Sequence, residues 1–215
     1  MVSYNVYSCL IVFGFILLSI TNVEGHGRLI DPIARGSRWR YNESAPPDYN
    51  DNEGFCGGFG IQWGVHGGKC GLCGNSYGDA VPRAHEYGGT YGEGVIVNTY
   101  KTSEIDFSVL LTANHRGFFV FDLCNMDNAK ESDECFAKNL LELKSGGTKY
   151  QLPNYNPNTY YNSTLKIPAG LKCKHCVFRW TYTTANTWGT CEDGSQGLGC
   201  GPQETFRGCS DVEII

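Results

Sequence analysis

Positive charge is scarce in this chain. Its 17 lysines and arginines face 22 aspartates and glutamates over 215 residues, for a formal net charge of −5. A nucleic-acid backbone is gripped by a surplus of cations, so nucleic acid is excluded as a partner. There are two methionines, and charged residues make up 18 % of the chain, too few for the long solvated faces of a helical bundle or coiled coil. Beyond residue 25 no apolar run approaches the roughly 20 residues that carry a helix across a bilayer, so no membrane span is expected. Absent too are a G-x-S-x-G elbow, an H-E-x-x-H helix and a phosphate-binding loop. No segment repeats, and no two carboxylates are marked out as a glycosidase pair.

What is present points outside the cell. Residues 9–20, CLIVFGFILLSI, form a short apolar core, followed by polar residues and a small residue at Gly25. That pattern predicts a secretory signal peptide over residues 1–25. Its removal takes away Cys9, one of 11 cysteines, and leaves an even number, enough for five disulfides in an oxidising compartment. It also leaves His26 as the first residue of a secreted, extracellular chain.

The remaining residues, 26–215, read as one domain in two styles. Up to about residue 94 the chain is rich in Gly, Asn, Asp and Pro, which predicts little regular structure there. Cys56, Cys70 and Cys73 lie within it and would staple it. Beyond that the period becomes two: Ile105, Phe107, Val109 and Leu111; Phe119, Phe121 and Leu123; Cys176, Phe178, Trp180 and Tyr182; Val212 and Ile214. Such alternation predicts half-buried strands. One short helix is expected, at residues 129–138. The expected fold is all-β: an antiparallel sandwich of the immunoglobulin or fibronectin type, with a large loop-rich, disulfide-stapled insertion.

The pairs Cys70–Cys73 and Cys173–Cys176 have the spacing of zinc knuckles, but about 100 residues part them and an oxidising compartment favours disulfides. With Cys124, Cys135, Cys191, Cys200 and Cys209 they complete the set; local spacing suggests only the pairing of Cys124 with Cys135. Asn42 and Asn162 stand in N-x-S/T sequons and are candidate glycosylation sites.

Five histidines are present, and two carry the argument. After cleavage His26 offers its terminal amine and its imidazole Nδ1 to a single metal ion. His115 follows an apolar alternating strand, at the point where it turns, and could supply a third nitrogen. Three nitrogens in a T-shaped set suit copper, which stands highest among the divalent first-row ions for such ligands and accepts tetragonal geometry.

The start at His26-Gly27, the segment from Cys56-Gly57-Gly58-Phe59 to Cys70-Gly71-Leu72-Cys73-Gly74, the run Thr112-Ala113-Asn114-His115-Arg116-Gly117 and the closing Gly201 to Val212 together resemble the lytic polysaccharide monooxygenases of auxiliary activity family 15. The resemblance covers essentially the whole chain after residue 25. It implies one copper ion held by His26 and His115. Phe206 matches the position on the copper's axial side, where many relatives carry Tyr. Ala113 matches the small residue crowding the opposite side, and Glu204 a polar position that orients an oxygen species. It implies further that an external electron donor reduces the copper, that O2 or H2O2 is activated, and that hydrogen is abstracted from C1 or C4 of a sugar at an insoluble polysaccharide surface. Chitin with C1 attack is the favoured reading and cellulose the other; a monomer is expected. Tyr49, flanked by Asp48 and Asn50, is the favoured sugar-stacking residue, ahead of Trp39, Tyr41 and Trp63. The rival readings are a non-catalytic secreted chitin-binding or copper-binding protein, and a hydrolase that would need no reductant.

Overall fold

A computed structural model describes residues 26–153, 156 and 158–215; the signal peptide expected over residues 1–25 lies outside them. Among these residues eleven strands and one short α-helix follow one another: β1 (His26–Asp31), β2 (Asn98–Tyr100), β3 (Glu104–Ala113), β4 (Phe118–Asn125), α1 (Asp133–Phe136), β5 (Glu142–Leu143), β6 (Tyr150–Gln151), β7 (Thr159–Lys166), β8 (Cys173–Thr183), β9 (Trp188–Thr190), β10 (Gln196–Leu198) and β11 (Thr205–Ile214), with a 3₁₀ helix (Arg35–Arg40) and a π-helix (Gly60–Val65) between β1 and β2. One sheet runs β1-β3-β7-β5 and the other β2-β11-β8-β4-β6, while β9 and β10 form a separate hairpin.

The alternating residues read from the sequence face one another between the sheets. Ile105, Phe107, Val109 and Leu111 of β3 share a core with Phe119 and Phe121 of β4, Phe178, Trp180 and Tyr182 of β8, and Phe206 and Val212 of β11. Phe107 and Phe121 bring ring centroids to 4.2 Å across the gap. Ring contacts of this kind stabilise beyond the area each aromatic removes from water.

The structure is the expected β-sandwich, and three details refine the expectation. The sandwich is not wholly antiparallel, because β2 runs parallel to the end of β11, Val212 opposite Asn98. The region opening at residue 26 has sparse regular structure, as expected, and within it β1 joins the sheet edge with Leu29 fully buried. A single buried leucine in six residues gives too little alternation to be read as a strand. The helix expected over residues 129–138 shrinks to the four residues of α1, started by Ser132, whose Oγ accepts from the Cys135 N–H at 3.2 Å, and held by the Cys124–Cys135 bridge.

The insertion covers the outer face of the larger sheet. Arg35 donates to both carboxylate oxygens of Asp211 on β11, at 2.8 and 2.7 Å, and to Glu131 at 2.8 Å. Gly54 lies so close to β11 that a Cβ there would stand 2.3 Å from the Arg207 carbonyl oxygen. The insertion and α1 together bury the second face of β8: Val177 packs with Cys73, Cys209 and Phe136, and Arg179 lies over the Phe136 ring, bonded to Asp122 and Asp133. The five disulfides are Cys56–Cys70, Cys73–Cys209, Cys124–Cys135, Cys173–Cys176 and Cys191–Cys200. Of the two knuckle-like pairs, only Cys173–Cys176 is bonded within itself. Cys73, Cys209 and Glu131 come together, but both sulfurs are committed to a disulfide and neither is a thiolate for a metal.

Candidate metal centre

At one end of the sandwich β1 begins, β3 ends, β4 begins, β8 ends and β11 begins. His26 is the register partner of Ala113, the last residue of β3, and His115 follows two residues later. The chain reverses there through Arg116 and Gly117, with φ of 60° and 87°. At Gly117 a Cβ would stand 2.0 Å from the Thr183 carbonyl oxygen, so the turn can press against β8 only with glycine. Asn114 closes it, accepting from the Arg116 N–H at 2.7 Å and donating to the Tyr161 hydroxyl at 2.8 Å. The His115 N–H donates to the Tyr182 hydroxyl at 2.8 Å, and its carbonyl accepts from the Ala185 N–H at 3.0 Å. The buried core thus holds the backbone of this histidine directly.

Each imidazole is engaged at a different nitrogen. His26 Nε2 lies 3.6 Å from Glu53 Oε1. His115 Nδ1 lies 2.9 Å from the side-chain amide nitrogen of Asn186, whose Oδ1 is buried without a partner. A half-turn of that amide puts the oxygen on a ring N–H, the arrangement that leaves His115 Nε2 with its lone pair. His26 Nδ1 and His115 Nε2 are then the ring nitrogens not taken up by a described side chain. Burial, and next the neighbouring His26, push the His115 pKa below the ordinary histidine value. A lowered pKa keeps the ring neutral, the form that binds metal. Two imidazoles, with Glu53 and Asn186 beside the far nitrogens, are a donor set that fits copper.

The sequence profile described as "Lytic polysaccharide mono-oxygenase, cellulose-degrading" matches residues 26–212. The structure is similar to the auxiliary activity family 15 lytic polysaccharide monooxygenase from Thermobia domestica in the Cu(I) state, at 43 % identity and a TM-score of 0.84, over 88 % of this chain and 98 % of that one. The chain belongs to the lytic polysaccharide monooxygenases of auxiliary activity family 15. It is a copper enzyme that oxidises polysaccharide. A family 10 lytic polysaccharide monooxygenase from Streptomyces lividans is also similar, at 16 % identity and a TM-score of 0.48 over 87 % of this chain and 99 % of that one. No curated protein matches the chain.

The other residues singled out in this lytic polysaccharide monooxygenase fall as follows. Phe206, at the start of β11, is fully buried and stacked on Tyr182 with centroids 5.5 Å apart. Glu204 is buried, and its carbonyl accepts from the Thr184 N–H at 3.0 Å. Tyr49 is 77 % exposed and rests edge-on against Trp39 at 5.3 Å. Its neighbour Asp48 does not face outward: it is buried, accepting from the Asn50 N–H and meeting His85 Nε2 at 2.8 Å. Asn50 is exposed, and its carbonyl accepts from the Glu53 N–H. Trp63 is tied down by its indole N–H to the Gln203 carbonyl at 2.9 Å. Two residues of the site were not anticipated, Glu53 and Asn186. Each is far along the chain from the histidine it meets, and nothing in either local pattern marks it.

The loop carrying Tyr49 is built into the site. The Gly27 N–H donates to the Asn52 carbonyl at 3.1 Å, and Asp51 accepts from Arg28 and Arg40. Burial raises the Asp51 pKa, but the hydrogen bonds from Arg40 and the charges of Arg28 and Arg40 outweigh it and hold the carboxyl below its ordinary value.

Proposed function

We propose that this monooxygenase is secreted, is cleaved after Gly25, and oxidises crystalline chitin by hydroxylation at C1. The observation that carries the reading is the pair of histidines at one end of the sandwich, each oriented through the nitrogen that the metal does not need. Cleavage would add the His26 amine to the two ring nitrogens. Copper bound there supplies one-electron redox chemistry and, once reduced by an external donor, activates O2 or H2O2. Glu53 and Asn186 orient the two rings, and Tyr182 fixes the His115 backbone. Phe206 would lie beside bound copper, where its phenyl ring offers no oxygen donor, and Ala113 would supply a small side chain next to it. Glu204 is assigned a polar role beside the site, and its burial in the segment leading to β11 favours a fixed position over a solvated one.

Tyr49 presents a wet-edged ring for a pyranose face on the loop joined to β1. The exposure of Asn42 and Asn162 supports glycosylation of both. We take the enzyme to act as a monomer. Cellulose is the second reading, and the wording of the matched family profile favours it. Mass spectrometry of products from chitin and from cellulose, with and without copper and reductant, tests the proposal. Aldonic-acid ends from chitin only when both are supplied are expected. Release without reductant would make the protein a hydrolase, and no release from either polymer would leave a binding protein.

A further inference from the structure

The Cys191–Cys200 bridge differs from the other four disulfides in exposure. The eight cysteines of those four are buried, at 7 % exposure or less, whereas Cys191 and Cys200 are both half-buried. It also closes an element that belongs to neither sheet. Among the described strands, β9 and β10 pair only with each other, over three residues each. An isolated two-stranded hairpin of that length is marginal in water, so the crosslink decides whether this one persists.

The hairpin in turn grips the segment that reaches the metal centre. The Gly199 N–H donates to the Thr187 carbonyl at 2.9 Å, and a Cβ at Gly199 would stand 3.0 Å from the Ala185 Cβ. Gln203 completes the clamp: its Oε1 accepts from the Thr187 N–H at 3.0 Å, and its Nε2 donates to the carbonyls of Thr187 and Cys200 at 3.0 and 2.8 Å. Between Ala185 and Thr187 lies Asn186, whose amide meets His115 Nδ1 at 2.9 Å.

We propose that the Cys191–Cys200 bridge is a thiol–disulfide exchange site, whose reduction by a low-molecular-mass thiol loosens Asn186 and weakens the metal centre. The inference rests on the reading of His115 as a copper ligand. Exposed disulfides are the ones that external thiols reach and reduce most readily. Cys200 stands between Gly199 and Gly201, so no side chain of its chain neighbours blocks the sulfur. Cys191 is followed by exposed Glu192 and Asp193, whose charges repel an incoming thiolate. The thiolate therefore attacks the Cys200 sulfur, forms a mixed disulfide and releases Cys191, which takes up a proton. A second thiol attacks the external sulfur of that mixed disulfide, frees Cys200 as a thiol and departs as the external disulfide. Two electrons pass from the two external thiols into the bridge, and the two protons they lose are those the cysteines gain. Without the crosslink the hairpin opens, the segment at 185–187 loses the Gly199 side of its clamp, and Asn186 no longer fixes the His115 ring. Losing an orienting partner lowers metal affinity about 10- to 100-fold.

The test starts with the mature protein free of copper. It is equilibrated with graded ratios of reduced to oxidised glutathione and alkylated with iodoacetamide, and the labelled cysteines are located by mass spectrometry. Cys191 and Cys200 should be labelled at ratios that leave the other eight bonded. Copper affinity is then read by titration calorimetry, after removal of the thiol, on the labelled protein and on the double variant Cys191→Ser, Cys200→Ser. Both should bind about 10- to 100-fold more weakly than wild type. Combined with Asn186→Leu, the serine replacements should add little further loss, because both changes act through one contact. Reduction of another pair first, or of all five together, overturns the exchange site, and so does wild-type copper affinity in the labelled protein or a loss that adds in full to that of Asn186→Leu. Copper bound as tightly by His115→Ala as by wild type overturns instead the ligand reading on which the site rests.

Discussion

Replacing Cys73 and Cys209 together by alanine tests whether loop closure holds the insertion against the sheet. The two residues are 136 positions apart, whereas Cys173 and Cys176 are separated by three. In the chain-entropy account, closing the longer loop is worth about 5 kcal/mol and the shorter about 2 kcal/mol at 25 °C. The bridges nested inside the long loop shorten it little, because the dependence is logarithmic. All four sulfurs are buried, at 3 % exposure or less, so the packing lost with each pair is similar and largely cancels in the comparison. A difference of about 3 kcal/mol should remain. For a domain of this size that corresponds to roughly 6–12 °C in melting temperature, read by scanning calorimetry on the two double variants side by side. Loss of about 5 kcal/mol is also a large part of the 5–15 kcal/mol that holds most domains folded. Equal melting temperatures for the two variants would refute the reasoning. They would mean that Arg35, Asp211 and their neighbours dock the insertion whether or not the chain is crosslinked.

A glycine added before His26 should lower copper affinity by more than the roughly 10- to 100-fold typical of losing an orienting partner, because it turns the amine into an amide; titration calorimetry decides, and unchanged affinity would remove the amine from the ligand set. Asn186→Leu should cost copper affinity about 10- to 100-fold while the melting temperature stays near wild type. Phe206→Tyr should keep copper and alter its Cu(II) electron paramagnetic resonance spectrum, whereas Phe206→Ala should cost about 3–5 kcal/mol of stability through the cavity left against Tyr182. Burial raises the Asp211 pKa, but the hydrogen bonds of Arg35 and His175 and their charges bring it below the ordinary aspartate value. Its stabilisation should therefore be complete above pH about 4 and fade as pH falls through the depressed folded value; urea titrations of wild type and Asp211→Asn between pH 2 and 6 should converge at the acid end.

Strands β3, β4, β8 and the end of β11 were legible because their residues alternate, and alternation follows directly from one face meeting a core. The parallel seam between β2 and β11 was not, since three residues, NTY, carry no period and strand direction leaves no mark on composition. The double burial of β8 was hidden for a related reason. Val177 is covered by the insertion, through Cys73 and Cys209, together with Phe136, and Arg179 by α1 and Asp122; no local pattern names partners so distant. His26 and His115 were legible through their chemistry and their resemblance to a family motif. Glu53 and Asn186 were not: one lies in a loop of Asn, Asp and Gly, the other in a Thr-Ala-Asn-Thr run that reads as a plain turn. Asp48 misled because it borders an exposed tyrosine, yet in a tight loop successive side chains point opposite ways, and this one turns inward to His85.

The docking of Arg35 on Asp211, 176 positions apart, also bears on how the molecule is made. Synthesis runs from the amino end, so the insertion emerges long before the strand it must lie on. Until β11 is complete, Cys73 has no access to its true partner while Cys70 is three positions away. The site around His26 and His115 is completed equally late, since His26 leaves the ribosome early and the segments carrying Asn186 and Phe206 come among the last. Oxidative folding of this chain is therefore expected to pass through species in which the early cysteines are mispaired or unpaired, and to depend on a disulfide-shuffling catalyst until the final strand closes the sheet.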